Sequence, residues 1–361
     1  MIMPQKLQRK HRRRHHFHGR PNKHHRCRII KDIHELREHL QTAIEIEHAT
    51  IPTYLCALYS IKEGTNTFAY QTIQAVVMEE MLHMILAANI LNAVGGKPAI
   101  NHEKFVPDYP TYLPHSDEAF KVHLCKFSED AIDTFLKIEK PAEPGAPPED
   151  NNWQTIGQFY AAIEDALEEL DAKTDGGIFS GDISKQLDEN DYYGGGGKLF
   201  AVTDLQSAKK AIGEIVGQGE GINHDTIIDT DILFGEEIDY AHYFKFNEIK
   251  LHKRYCPTDK PNDSPSGPDV EVDYNNAYNM QLDPKMSDYP EGSQLWQKSR
   301  EFNLTYTKLL DCLHDTCNGQ KQKILEAVPL MYDLKYKAQD LMRIPYKDGM
   351  TAGPSFEFIR E

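Results

Sequence analysis

Acid is absent from one end of this chain, strand signals are scarce, and internal repeats and CxxC motifs are absent throughout. Up to Lys31 there is no Asp or Glu, only a run dense in Arg, Lys and His (KHRRRHHFH at 10–18). A one-signed block with so little apolar content reads as a solvated, disordered tail over 1–31 and argues against a secretory signal. The six cysteines (27, 56, 125, 256, 312 and 317) include no CxxC. Neither a zinc site nor a disulfide framework is therefore expected, and the chain suits a reducing, cytoplasmic setting. No run approaches the ~18 apolar residues of a membrane span, so no membrane partner is expected. The net charge of −16 disfavours nucleic acid as a partner of the main body, leaving the basic tail as the one segment suited to it.

What the sequence holds instead is helix. In TIQAVVMEEMLHMILAANILNAVGG (72–96), Ile73, Val76, Val77, Leu91 and Val94 repeat at helical spacing. Glu80 and His83 lie on that same apolar stripe, three residues apart, where a core helix would carry Leu or Met. This spacing puts a carboxylate and an imidazole on one face, within reach of a shared metal ion. The plainer alternative pairs Glu80 with an Arg and leaves His83 as a satisfied core histidine. The choice depends on the other helices.

A first helix is expected over about 32–62, with Asp32 as N-cap and Glu47 interrupting the stripe between Ile44 and Ile51. A short helix over 128–139 and a Pro-rich connector, KPAEPGAPPED (140–150), precede a third long helix opened by Thr155. On that helix Glu164 lies along the edge of the stripe formed by Tyr160, Ile163 and Leu167. A Gly-rich loop over 171–200 leads to a helix starting after Asp204, where Glu220 lies four residues beyond Val216 inside QGEG. A further helix over 236–254 places His242 on an apolar face, with Asp239 three residues before it. After a polar coil over 256–290, two last helices, 291–317 and 321–343, read as an antiparallel hairpin.

Glu47, Glu80, His83, Glu164, Glu220 and His242 thus make four carboxylates and two imidazoles on otherwise apolar faces, the donor set of di-iron and di-manganese sites in helical bundles. Four carboxylates balance two divalent cations, and oxygen–nitrogen ligation without thiolate suits iron or manganese better than structural zinc. Spacing to His242 favours Asp239 as the sixth ligand, whereas stripe position and the flanking glycines favour Glu220.

The segments EIEHATIPTYLCALYSI (45–61), EEMLHMILAANILNAVGGKP (79–98), FLKIEKP (135–141), IVGQGEG (215–221) and HYFKFNEI (242–249) resemble the ferritin-like proteins. More narrowly, they are similar to the ferritin-like domain of the violacein and rebeccamycin imine-dimer synthases. The likeness continues through YTKLLDCLHDTCNG (306–319) and AGPSFEFI (352–359). It implies an all-α, ferritin-like four-helix bundle over 32–361, with a C-terminal helical extension over 256–361. Because QGEG recurs in that family as a block, the resemblance selects Glu220 over Asp239. The family commonly reads IVEQGEG, and this chain departs from it at Gly217.

The implied function is a non-haem di-iron oxidase or oxygenase that uses O2 to oxidise or couple a small amino-acid-derived substrate. Two Fe ions are expected, with Mn as the alternative. Glu80 with Glu220 or Glu164 would bridge, Glu47 would be terminal, and His83 and His242 would each cap one metal. Tyr54, Tyr109 and Tyr112 are candidates for the pocket lining. Two other functions remain open, a ferroxidase or iron-handling protein and a metal-free binding scaffold, and a homodimer remains open as the assembly. Because the tail carries no apolar pattern, a chain starting at Lys31 is predicted to keep its helix content and its bound metal. Loss of metal on that truncation, read by elemental analysis, would contradict the reading.

Overall fold

The computed structural model describes residues 30–191, 196–221, 225–230 and 238–361. Nearly all of the basic tail expected over 1–31 lies outside the described residues. The ordered elements are α1 (Ile33–Ser60), α2 (Thr67–Ala93), α3 (Glu129–Ile138), α4 (Ile156–Lys173), α5 (Leu205–Glu220), α6 (His242–Leu251), α7 (Gln294–Cys317) and α8 (Ile324–Met342). Among the described residues there is no strand, only isolated bridges such as Thr111–Val122.

Side-chain caps set several helix starts. Asp32 accepts from the amides of His34 and Glu35, Thr155 from that of Gln158, and Asp204 forms a capping box with Ser207. Glu35 closes the first of these turns by accepting from the Lys31 amide at 2.6 Å, one residue earlier than a capping box requires. The helix expected over 236–254 is shorter, His242–Leu251, and residues 231–237 lie outside the described residues.

Pairings across the bundle run antiparallel. Arg37 donates to the Val94 carbonyl and Thr50 to Glu80, tying α1 to α2 along its length. Lys209 meets Glu164 and Glu168 while Gly157 meets Glu220, which sets α5 against α4. Helices α1, α2, α4 and α5 form the four-helix bundle. At one side of it α3 and α6 pair through Lys250, which reaches Glu129 and Asp133 at 2.7 and 2.8 Å. The last two helices pair through Lys298–Asp340 and Lys337–Thr305, and dock on α1 and α2 through Tyr306–His48 and Asn92–Cys317.

Helix α2 is the centre of the core. Contrary to the expectation from apolar runs, it is long and apolar enough to cross a membrane, yet 78% of its most apolar window is buried inside the bundle. The segment over 171–191 does not hang free of it. The Asn89 side chain donates to the carbonyls of Leu187 and Phe200 and accepts from the Leu187 amide, fastening the end of that segment and the stretch before α5 to α2. At Gly181 a Cβ would lie 1.7 Å from the Asn92 carbonyl oxygen, a backbone atom that cannot step aside. Gly181→Ala is therefore predicted to destabilise the fold by about 1–3 kcal/mol, read by denaturant unfolding.

Candidate metal centre

Four elements deliver the polar side chains of the bundle interior. Helix α1 brings Glu47, α2 brings Glu80 and His83, Glu139 caps the C-terminus of α3, and His242 opens α6. All five are buried, His242 completely. Their donor atoms form two groups, Glu47–Glu80–His83 and Glu80–Glu139–His242, each with atoms within 4.8 Å of one another. Glu80 belongs to both. The two imidazoles lie nearly parallel, with ring centroids 5.5 Å apart.

Each of these side chains is held from behind. Tyr160 donates to Glu47 Oε1 at 2.5 Å, Thr50 to Glu80 Oε2 at 2.8 Å, and Tyr54 to Glu139 Oε1. His83 turns Nε2 to Gln218 Oε1 at 2.8 Å, and His242 turns Nε2 to Glu79 Oε2 at 2.8 Å. With an acceptor oxygen beside each Nε2, a neutral imidazole at either position would carry its proton there and leave a lone pair on Nδ1. His242 Nδ1 lies 3.0 Å from Glu80 Oε1 and 3.3 Å from Glu139 Oε2. His83 Nδ1 lies 3.6 Å from Glu47 Oε2. With both imidazoles neutral, the atoms left facing inward, three carboxylate oxygens and two ring nitrogens, are all acceptors.

Glu79 is secured in its turn. Lys245, buried on α6, contacts both of its oxygens at 2.7 and 2.9 Å and reaches Asp239 at 2.8 Å. A third group of acidic side chains, Glu79, Asp229 and Asp239, gathers in this region, where Lys245 already supplies a cation. Burial works to raise the Glu79 carboxyl, but Lys245 and His242 outweigh it and hold the group down at about 2.

The inner cluster behaves in the opposite way. Burial, then the charges of Glu139 and Glu47, hold Glu80 well above the usual carboxylate range. Burial works to lower His242, but Glu139, Glu79 and Glu80 raise it well above an ordinary histidine. His83 is raised in the same way, by Glu47 and Glu80. Several acidic groups crowded in a dry site make a strong demand for positive charge, which protons or metal ions can meet. The donors are oxygen and nitrogen without thiolate, a set that fits a pair of hard divalent cations such as iron or manganese.

The expected residues fare differently. Glu47, Glu80, His83 and His242 come together. Glu164 does not: its carboxylate is one-third exposed and pairs with Lys209 at 3.0 Å. One step around α4 from Ile163, it falls on the solvent side, and Tyr160 is the residue that α4 sends inward. Glu139 occupies the space that Glu164 was expected to fill. Glu220 borders the same cavity, of about 20 Å³, but its oxygens accept from the amides of Ala142 at 3.0 Å and Gly157 at 2.9 Å. Gly157 has to be glycine for this, since a Cβ there would lie 2.5 Å from Glu220 Oε1. Asp239 is far more exposed than the cluster and acts on His242 only through Lys245 and Glu79. At Gly217 a Cβ would lie 2.3 Å from Thr230 Cγ2, so the Glu that the resemblance leads one to expect does not fit here. Of the three tyrosines, Tyr54 reaches the cluster, Tyr109 donates to the Ala49 carbonyl within the core, and Tyr112 is exposed.

Lys245→Met leaves Glu79 buried without its cation and is expected to cost about 3–5 kcal/mol, most of it recovered when Glu79→Gln is added; thermal unfolding of both variants checks this. Burial raises the Glu220 carboxyl to about 7, so in metal-free protein the native state holds a proton that the unfolded chain has released above pH ~4.5. Its contribution is full below the unfolded value and is lost as pH rises through about 7. The melting temperature of metal-free protein should therefore fall across that interval, and fall less in Glu220→Gln.

Comparison with known proteins agrees with this architecture. A family model described as ferritin-like matches residues 40–251. A crystal structure of a ferritin-like protein from Caulobacter vibrioides superposes with a TM-score of 0.65 at 24% identity, covering 90% of this chain and 99% of that one. Dichlorochromopyrrolate synthase of Lentzea aerocolonigenes is 23% identical in a 336-residue alignment that covers 82% of this chain and 30% of the synthase. The chain thus spans about a third of the length of that curated relative. By its matched region and its bundle, the chain belongs to the ferritin-like family.

Proposed function

We propose that this protein is a non-haem dinuclear-iron oxidase or oxygenase acting on a small amino-acid-derived molecule. Its ligands would be Glu47, Glu80, His83, Glu139, Glu220 and His242. One observation carries the reading: five acceptor atoms converge, while the opposite atom of every side chain that bears them is anchored by Tyr160, Thr50, Tyr54, Gln218 or Glu79. A structural ion-pair network would alternate donors with acceptors. Here the hydrogen-bond protons lie on the outer side of each group and, with the imidazoles neutral, only acceptors face inward, the arrangement that a cation requires.

Bound iron would supply the redox chemistry, with dioxygen as the oxidant. The protein's own part is to hold and space the metal pair. Glu80 belongs to both donor groups and would bridge. Glu47 and His83 would complete one side, and Glu139 and His242 the other. Glu220 rests on two neutral amide donors and could exchange them for a metal. Helix ends at Glu139 and Glu220 place these two carboxylates where the backbone yields more readily than in mid-helix. The substrate class rests on the motifs shared with the imine-dimer synthases and on the similarity to dichlorochromopyrrolate synthase.

The test is metal content and dioxygen use in protein loaded with ferrous iron. Wild type is expected to bind two irons per chain and consume dioxygen. Glu139→Ala should lose metal, whereas Glu164→Ala and Asp239→Ala should keep it. Full loading of the Glu139 variant, or loss from the Glu164 variant, would contradict the assignment. Two bound irons oxidised without any organic substrate, with iron retained as ferric mineral, would favour iron handling instead.

A further inference from the structure

Helices α1 and α2 each have a second apolar face, turned away from the carboxylates toward α7 and α8. Between these four helices lies a cavity of about 50 Å³, walled by side chains such as Ile51, Met84, Ile85, Leu310 and Leu334. His48 and Tyr306 also line it, and they are joined to each other, Tyr306 Oη to His48 Nε2 at 2.7 Å. A trapped water needs two to four polar partners; beyond the His48–Tyr306 bond, His48 offers it a single unbonded atom, Nδ1, which serves it poorly. The space exceeds the ~10–15 Å³ that one water requires but falls well short of the ~150 Å³ of a cavity known to take benzene. It therefore suits an apolar molecule of two or three heavy atoms, and no aromatic substrate.

Two of the lining side chains, Met81 on α2 and Met331 on α8, are only partly buried. Methionine is flexible and repacks at little cost, so this pair makes a yielding entrance from solvent. Three wall residues are sequence neighbours of the cluster: His48 follows Glu47, Met81 follows Glu80, and Met84 follows His83. The cavity thus backs directly onto the two helices that carry three of the proposed ligands.

We propose that this cavity is a binding site for dioxygen, holding it one helix layer behind the metal centre; the choice of this gas rests on the oxidase reading above. Dioxygen is apolar and dissolves better in hydrocarbon than in water, so a dry cavity lined by aliphatic and thioether groups concentrates it. No covalent step is involved.

The test uses xenon as the probe, in crystals of the full chain under gas pressure, with and without iron. Xenon is expected against Met84, Ile85 and Leu310 in both forms. Leu310→Phe and, independently, Leu313→Phe fill the space from α7 without touching a proposed ligand. Each is expected to exclude xenon, keep wild-type iron content and slow the reaction of the ferrous protein with dioxygen several-fold. Absence of xenon from the wild-type cavity would overturn the site. Xenon bound and displaced as expected, but with unchanged reaction rates in whichever variant folds, would overturn its role for dioxygen. Xenon bound in a wild-type protein whose iron does not react with dioxygen would overturn the oxidase reading and this occupant together, which separates the two failures.

Discussion

Acidic side chains buried within reach of one another are the constraint on which this structure turns. Coulomb repulsion in a dry interior makes such a cluster costly, and burial makes each charge dearer still. The chain meets that cost with geometry. Tyr160, Thr50 and Tyr54 each bind one outer oxygen of Glu47, Glu80 and Glu139, so the carboxylates cannot rotate apart. Gln218 and Glu79 fix the imidazoles, and Lys245 neutralises Glu79. The bundle, the short α3–α6 pair and the caps that start the helices all serve to bring these anchors to one place.

Much of this was legible in the residues because a charged group on an apolar stripe departs from the helical pattern. Glu47, Glu80, His83 and His242 were visible as such departures, and each is buried in the cluster. Glu164 misled because it stands at the edge of its stripe, where a single residue decides between core and solvent. Its neighbour Ile163 faces inward, and Glu164 meets Lys209 at the surface. Glu139 went unnoticed because it lies just past the end of a ten-residue helix, where periodicity no longer applies cleanly. It is four residues beyond the buried Phe135, the same step that relates Glu220 to Val216, and FLKIEKP was already among the segments that resemble the family. No sequence rule, by contrast, pairs Tyr160 with Glu47 or Lys245 with Glu79. These partners are distant in the chain, and only the packed bundle brings them together.

The anchoring partners also divide the molecule into two kinds of surface around α1 and α2. One face is polar inside and built around the carboxylates. The other, toward α7 and α8, is apolar, and its histidine is kept neutral by burial and tied to Tyr306. The C-terminal hairpin is therefore more than an appendage, since it closes a hydrophobic space directly behind the helices that carry Glu47, Glu80 and His83. Segment 171–191, fastened to α2 through Asn89, covers another side of the same helix.

The central claim is that five inward acceptors, with Glu220 beside them, exist to hold two metal ions. Anomalous diffraction at the iron edge, from crystals of protein loaded with ferrous iron, tests this most directly. Two peaks about 3.5–4 Å apart are predicted, flanking Glu80, one near Glu47 and His83 and the other near Glu139 and His242. No peak there in fully loaded protein, or one confined to the acidic group around Asp239, would contradict the account.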